Sequence, residues 1–160
     1  VYLEFYKKTE DHIVMTIVRD DGSKTWSRLR SGFEDHDLAH YAVEKVLGMD
    51  QAFFGMINQG VEIADFEDKE KQPDISAEAI QAEHLVNLLQ TEYWNNHELI
   101  DILKELSLIF IQKKLPQIDR LNESRLDEIR AVYKSAIISL RKLEKGGALK
   151  FEIELPTLTH

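Results

Sequence analysis

Hydrophobic and polar positions change rhythm twice along this chain, from a period near two to one near 3.6 and back. Residues 1–8 set Leu3 and Phe5 among polar Glu4 and Lys7, with tyrosines at 2 and 6, and read as a first strand. Residues 12–19 (HIVMTIVR) are β-branched and apolar, and Asp20-Asp21-Gly22-Ser23 follows them. Glycine tolerates positive φ and Asp bonds its own backbone, so the pattern predicts a hairpin into residues 24–28. Ser31 and Glu34 then match a capping box, with Asp35 as a second possible cap, and open a helix that runs to about Leu47 and stops at Gly48. Asp50 is placed to cap a short second helix carrying Phe53, Phe54 and Ile57, which ends at Gly60.

Residues 61–75 (VEIADFEDKEKQPDI) are acidic, lack a helical stripe and read as a solvated loop or lid. Ser76 opens a third helix with Ala82, Leu85, Val86, Leu89 and Tyr93 on its buried side. Asn95 or Asn96 caps a fourth, with Leu99, Ile102, Leu103, Leu106, Ile109 and Phe110 inward. Ile100, Leu108 and Ile111 widen its apolar surface, which predicts a central position. Pro116 interrupts, and a fifth helix spans residues 122–145 before Gly146-Gly147. Residues 149–155 (LKFEIEL) alternate as a half-buried strand does, and must pair with the N-terminal hairpin to satisfy their backbone. The expectation is a single α+β domain, with three N-terminal strands and a C-terminal strand in a small antiparallel sheet packed on about five helices.

Composition narrows the chemistry. The 160 residues include no cysteine, which excludes disulfides, thiolate metal sites and cysteine nucleophiles, so any metal must be held by His, Asp and Glu. A net charge of −9 argues against nucleic acid and anionic membranes as partners. No apolar run approaches the roughly 20 residues of a spanning helix, and the first residues are unlike a signal peptide. A cytoplasmic protein is the expectation. No Gly-rich phosphate loop, dinucleotide fingerprint or Gly-x-Ser-x-Gly elbow is present.

The first helix carries the most pointed chemistry. At about 100° per residue, His40 falls roughly 40° from His36, Glu44 roughly 80° and Asp37 roughly 100°, beside the buried stripe. Histidines at i and i+4 can reach one ion, and a carboxylate one turn on can serve as third ligand, base or orienting partner. His36, His40, Glu44 and Asp37 are therefore the candidate site, with zinc, nickel or manganese as the ion. One helix supplies too few ligands, and His12, His84 and His97 are the candidates for completing the set. The bland alternative is a pair of hydrogen-bonded histidines at a helix boundary. Of Phe53 and Phe54, one can line a pocket beside His36 and His40, with Gly55 permitting a close approach. Trp26 and Trp94 read as core. Arg130, Lys134, Arg141 and Lys145 share one arc of the fifth helix, either to bind an acidic partner or to pair with Glu123, Asp127 and the helix dipole.

The string His36-Asp37-x-x-His40 is similar to the zinc-site signature of the ubiquinone-biosynthesis scaffold family, which continues with a glutamate a dozen residues after its second histidine. Ala52 stands at that place here, and the likeness covers these few residues. More broadly, His36-Asp37-Leu38-Ala39-His40-Tyr41, followed by the stretch Ala52-Phe53-Phe54-Gly55-Met56-Ile57-Asn58-Gln59-Gly60, resembles small bacterial proteins without an assigned activity, and so implies none. Three functions follow as expectations: an interaction or regulatory protein, dimeric or partnered through helical surface; a divalent-metal protein or metal-dependent enzyme; and a small-molecule binder with a pocket between the sheet and the His36/Phe53 region.

Overall fold

The structure is a computed structural model and describes residues 1–30, 34–68, 70, 73–95 and 101–155. Strands β1 (Tyr2–Thr9), β2 (His12–Val18) and β3 (Lys24–Arg30) are followed by helices α1 (Glu34–Leu47) and α2 (Phe53–Asn58). A 3-10 turn (Ile63–Phe66), α3 (Ala77–Trp94), α4 (Ile102–Gln112), α5 (Glu123–Arg141) and β4 (Ala148–Glu152) complete the order. The protein is an α+β fold with one four-stranded antiparallel sheet, ordered β3-β2-β1-β4. The β2–β3 turn is closed by Gly22 N–H donating to Arg19 O at 2.9 Å, with Gly22 at φ 87°, a left-handed conformation that glycine adopts without a Cβ penalty. Asp21 accepts from the Ser23 backbone N–H at 2.8 Å.

Alternation sends Leu3, Phe5, Ile13, Met15 and Ile17 to one face, where all are buried beneath the helices. From β4, Phe151 packs its ring 5.9 Å from Phe5 and 5.1 Å from Tyr41 of α1. The central helix is α1, which packs against α2, α3 and α5. Its buried residues include Leu38, Ala39, Ala42 and Val43, and also His40 and Glu44.

Several sequence expectations change here. The central position predicted for the fourth helix belongs to α1; α4 buries Ile102, Leu106 and Phe110 but leaves Leu108 53% and Ile111 67% exposed. Its N-cap is Asp101, accepting from Lys104 N–H at 3.2 Å; of the two expected caps, Asn95 is the C-cap of α3 instead, and Asn96 lies outside the described residues, as do Leu99 and Ile100. The capping box at Ser31 also lies outside them. Ala52, not Asp50, holds the N-cap position of α2. The fifth helix ends at Arg141, short of Lys145. Trp26 and Trp94 are exposed, not core. The acidic segment is only partly solvated: Ile63 is buried and donates its N–H to Thr25 Oγ1 at 3.1 Å, which seats the 3-10 turn on β3. Ser76 and Asn122 cap α3 and α5 as their spacing predicts.

Two devices position α2 beside α1. Arg19, buried at the end of β2, donates from Nε to Ile57 O at 2.6 Å and from Nη2 to Val61 O at 2.8 Å. Gly55 presses against the Asp50 carbonyl so closely that a Cβ there would stand 1.9 Å from the oxygen. The close approach expected at Gly55 is thus to the chain's own backbone.

Candidate metal centre

His36 and His40 leave α1 on neighbouring turns, with ring centroids 4.9 Å apart and planes at 71°. Across from them, Glu83 of α3 bridges both rings. Its Oε2 accepts from His40 Nε2 at 2.7 Å, and its Oε1 lies 3.3 Å from His36 Nε2. The opposite nitrogen of each ring is also held. His40 Nδ1 donates to Glu44 Oε2 at 2.8 Å, and His36 Nδ1 donates to Gln90 Oε1 at 2.8 Å. Glu44 is itself fixed, because its Oε1 accepts the Phe54 backbone N–H at 3.0 Å. One carboxylate is therefore shared by the inward nitrogens, and a separate acceptor anchors each outward one.

A carboxylate is an acceptor only, so His40 between Glu44 and Glu83 is doubly donating and charged. Burial pushes its pKa down, but the two carboxylates outweigh burial and raise it to about 10. The same contacts with His36 and His40 hold Glu83 well below the usual carboxylate range. Glu83 also raises His36, against its burial. Burial pushes the Glu44 carboxyl up, against the pull of His40. Asp37 is raised to about 6, chiefly by burial, with both imidazoles opposing.

The candidate ligand atoms of His36, His40 and Glu83 all lie within 4.8 Å of one another, and among the described residues they are the group of three that geometry brings together for a metal ion. An ion with bonds of about 2.0–2.1 Å sets tetrahedral ligand–ligand edges of about 3.3 Å. The His36–Glu83 separation of 3.3 Å, to Oε1, has that length, while the His40–Glu83 contact of 2.7 Å, to Oε2, is that of a shared proton, whose place an ion would take. Anchoring of Nδ1 by Glu44 and Gln90 is the arrangement that fixes the tautomer of a metal-bound imidazole and leaves Nε2 to coordinate.

The four sequence-predicted residues thus separate. His36 and His40 converge on one point. Glu44 lies behind His40, on the ring's far nitrogen, as an orienting partner. Asp37 is half-buried on the wall of the adjoining cavity. Of the candidates for completing the set, His84 lines that cavity outside the converging group, His12 sits at the start of β2 beside Thr9, and His97 lies outside the described residues. Sequence reasoning missed Glu83 and Gln90. They stand seven apart on α3, about two turns, flanking the stripe of Ala82, Leu85, Val86 and Leu89. No local feature sets them apart from the solvated residues of the same helix.

The centre opens on a cavity of about 460 Å³ between the sheet and helices. It is lined by Met15 and Leu29 of the sheet, by Phe53 and Phe66, and by Ala79 and Ile80 of α3. Phe53 lies between the His40 ring at 5.4 Å and Phe66 at 4.8 Å, tilted by 39° and 51° to them, while its neighbour Phe54 is fully buried in the core. Of the basic arc of the fifth helix, Arg130 meets the expected Asp127 at 3.0 Å but also grips Glu92 of α3 through Nε at 3.0 Å and Nη2 at 2.7 Å, and Arg141 reaches Asp35 of α1 at 3.2 Å.

Comparison of the chain with protein-family models, curated proteins and solved structures finds no match. Among the described residues, no helix is long and apolar enough to cross a membrane.

Proposed function

We propose that this protein binds a divalent transition metal through His36, His40 and Glu83 and presents it to a small molecule in the adjoining cavity. The observation that carries the reading is the paired anchoring of the two rings: both Nε2 atoms meet one carboxylate, while Glu44 and Gln90 hold both Nδ1 atoms. A set of three protein ligands beside an open cavity matches centres that keep a coordination position for water or substrate, whereas structural sites close all four. Two imidazoles and a carboxylate suit zinc first, then nickel or manganese. Such an ion acidifies a bound water or polarises a bound carbonyl, the chemistry of metal-dependent enzymes. Here α1 and α3 supply the rigid ligands and the aromatic wall limits water.

Elemental analysis tests this reading after equilibration with zinc, nickel or manganese and dialysis. The expected result is one equivalent per chain in the wild type and loss of it in His36→Ala, with the circular dichroism of the two proteins alike. Less than a tenth of an equivalent of every metal in the wild type overturns the proposal.

A second reading, association through helical surface, is favoured by exposed Leu108 and Ile111 on α4. A light-scattering mass of one chain at micromolar concentration, with no partner retained in a pulldown, would count against it.

A further inference from the structure

The cavity beside the metal centre has a lining that selects by charge. Met15, Leu29, Phe53, Ile63, Phe66 and Ile80 make most of it apolar. The charged side chains on it are the carboxylates of Asp37, Glu67 and Glu83 and the imidazoles, and no Lys or Arg is among its described lining residues. We propose that the ligand of this cavity is an uncharged small molecule with a flat, apolar body, and that phosphorylated or sulfonated molecules are excluded.

Size, shape and charge each support that class. A volume of about 460 Å³ lies in the range of small-ligand sites, roughly 300–1,000 Å³. The Phe53 and Phe66 rings, 4.8 Å apart and next to His40, offer an aromatic wall against which a planar group stacks. Sites that take phosphate rely on Arg, Lys or a helix N-terminus aimed at the oxygens. Among the described residues this lining has neither guanidinium nor ammonium. The N-termini of α1 and α3 that border it carry Glu34, Asp35 and Asp37 and Glu78 in their first turns, which offset the dipole's attraction for an anion. A dication held by His36, His40 and Glu83 is offset by Glu83 itself and by Glu44 behind His40, so little positive charge remains for an anion. Half-buried Asp37 then adds repulsion, and exposed Glu67 adds a smaller, solvent-screened share. Exposed Ile75 and half-exposed Ile80 mark the mouth, which favours an apolar body on entry. The inference rests on the metal reading for what closes one end of the cavity, and on the lining alone for the ligand class.

Two fluorescent probes with the same ring body separate these possibilities: uncharged N-phenyl-1-naphthylamine, and 1-anilinonaphthalene-8-sulfonate. Each is titrated into the full chain in chelator and again with saturating zinc. The uncharged probe should bind at least about tenfold tighter in both conditions. Ile80→Glu, at the cavity mouth, should weaken it by about fivefold or more while circular dichroism and zinc content stay unchanged. Equal or tighter binding of the sulfonate, no binding of either probe, or an uncharged probe indifferent to Ile80→Glu each overturns the proposal. Zinc content, measured separately by dialysis, keeps the two readings apart. Zinc at one per chain with no preference for the uncharged probe removes the ligand class alone, and a preserved preference without zinc removes the metal centre alone.

Discussion

Where α1 and α3 meet α5, the cations are guanidinium groups; where α1 meets α3, they are imidazoles. On the first side Arg130 forks onto Glu92 at 3.0 and 2.7 Å, and Arg141 joins Asp35 and the Tyr93 hydroxyl, each at 3.2 Å. On the second side Glu83 and Glu44 clasp His40, and Glu83 also meets His36. Both networks tie helices together with comparable distances. Guanidinium has no lone pair to offer and keeps its proton at any ordinary pH, so the α5 network can only hold. Imidazole can exchange its Nε2 proton for a metal ion, and the α1–α3 network borders a cavity. The same electrostatic glue is structural in one place and chemically available in the other.

The largest effect expected comes from removing the buried carboxylate. Glu44→Ala leaves the His40 Nδ1–H and the Phe54 N–H buried without their acceptor, with Glu83 as the remaining counter-charge, and should cost about 3–5 kcal/mol in urea unfolding of metal-free protein. A loss below about 1 kcal/mol would mean that Glu44 contributes no anchoring. Next comes Glu83→Gln, which removes a ligand and should weaken zinc binding by more than about a hundredfold, beyond the 10–100-fold typical of outer partners. Glu92→Gln in the α5 network should leave zinc affinity within about twofold by calorimetry. Equal losses in the two variants would erase the distinction between the networks.

Proton linkage sharpens the contrast with a sign. His40 is raised from 6.5 to about 10, so its contribution to metal-free stability is complete below pH 6.5 and fades as pH rises towards 10. The lowered pKa of Glu83 matters only in acid, and the raised one of Asp37, about 6, lies below this window. The urea midpoint of metal-free protein should therefore fall between pH 6.5 and 10 while zinc affinity rises, because each bound ion releases a proton. A midpoint that climbs over this range contradicts the charged state assigned to His40. The smallest effect belongs to Arg130→Lys, which loses the two-pronged grip on half-buried Glu92 and should cost about 1 kcal/mol with zinc binding unchanged.

The legible and illegible parts of the sequence divide along the same line. Alternation in β1 and β2, the Asp-Gly turn and the 3.6-residue period of α1 are local properties, and they placed the hairpin and the shared arc of His36 and His40. Burial of Glu44 was within reach of the same arithmetic, since it falls one turn beyond His40. Glu83 and Gln90 were not, because their partners lie 43 and 54 positions away and nothing local marks them off from solvated residues. Apolar content misled for α4, whose Leu108 and Ile111 face outward, and for Trp26 and Trp94, since hydrophobicity reports what a side chain prefers and not whether the fold has room for it.

X-ray absorption at the zinc K-edge, on protein loaded with one equivalent, addresses the centre most directly. The account predicts a first shell of nitrogen and oxygen at about 2.0–2.1 Å, with multiple scattering from two imidazoles that drops to one in His36→Ala. A shell of oxygens without imidazole scattering, or a spectrum unchanged by His36→Ala, would contradict it.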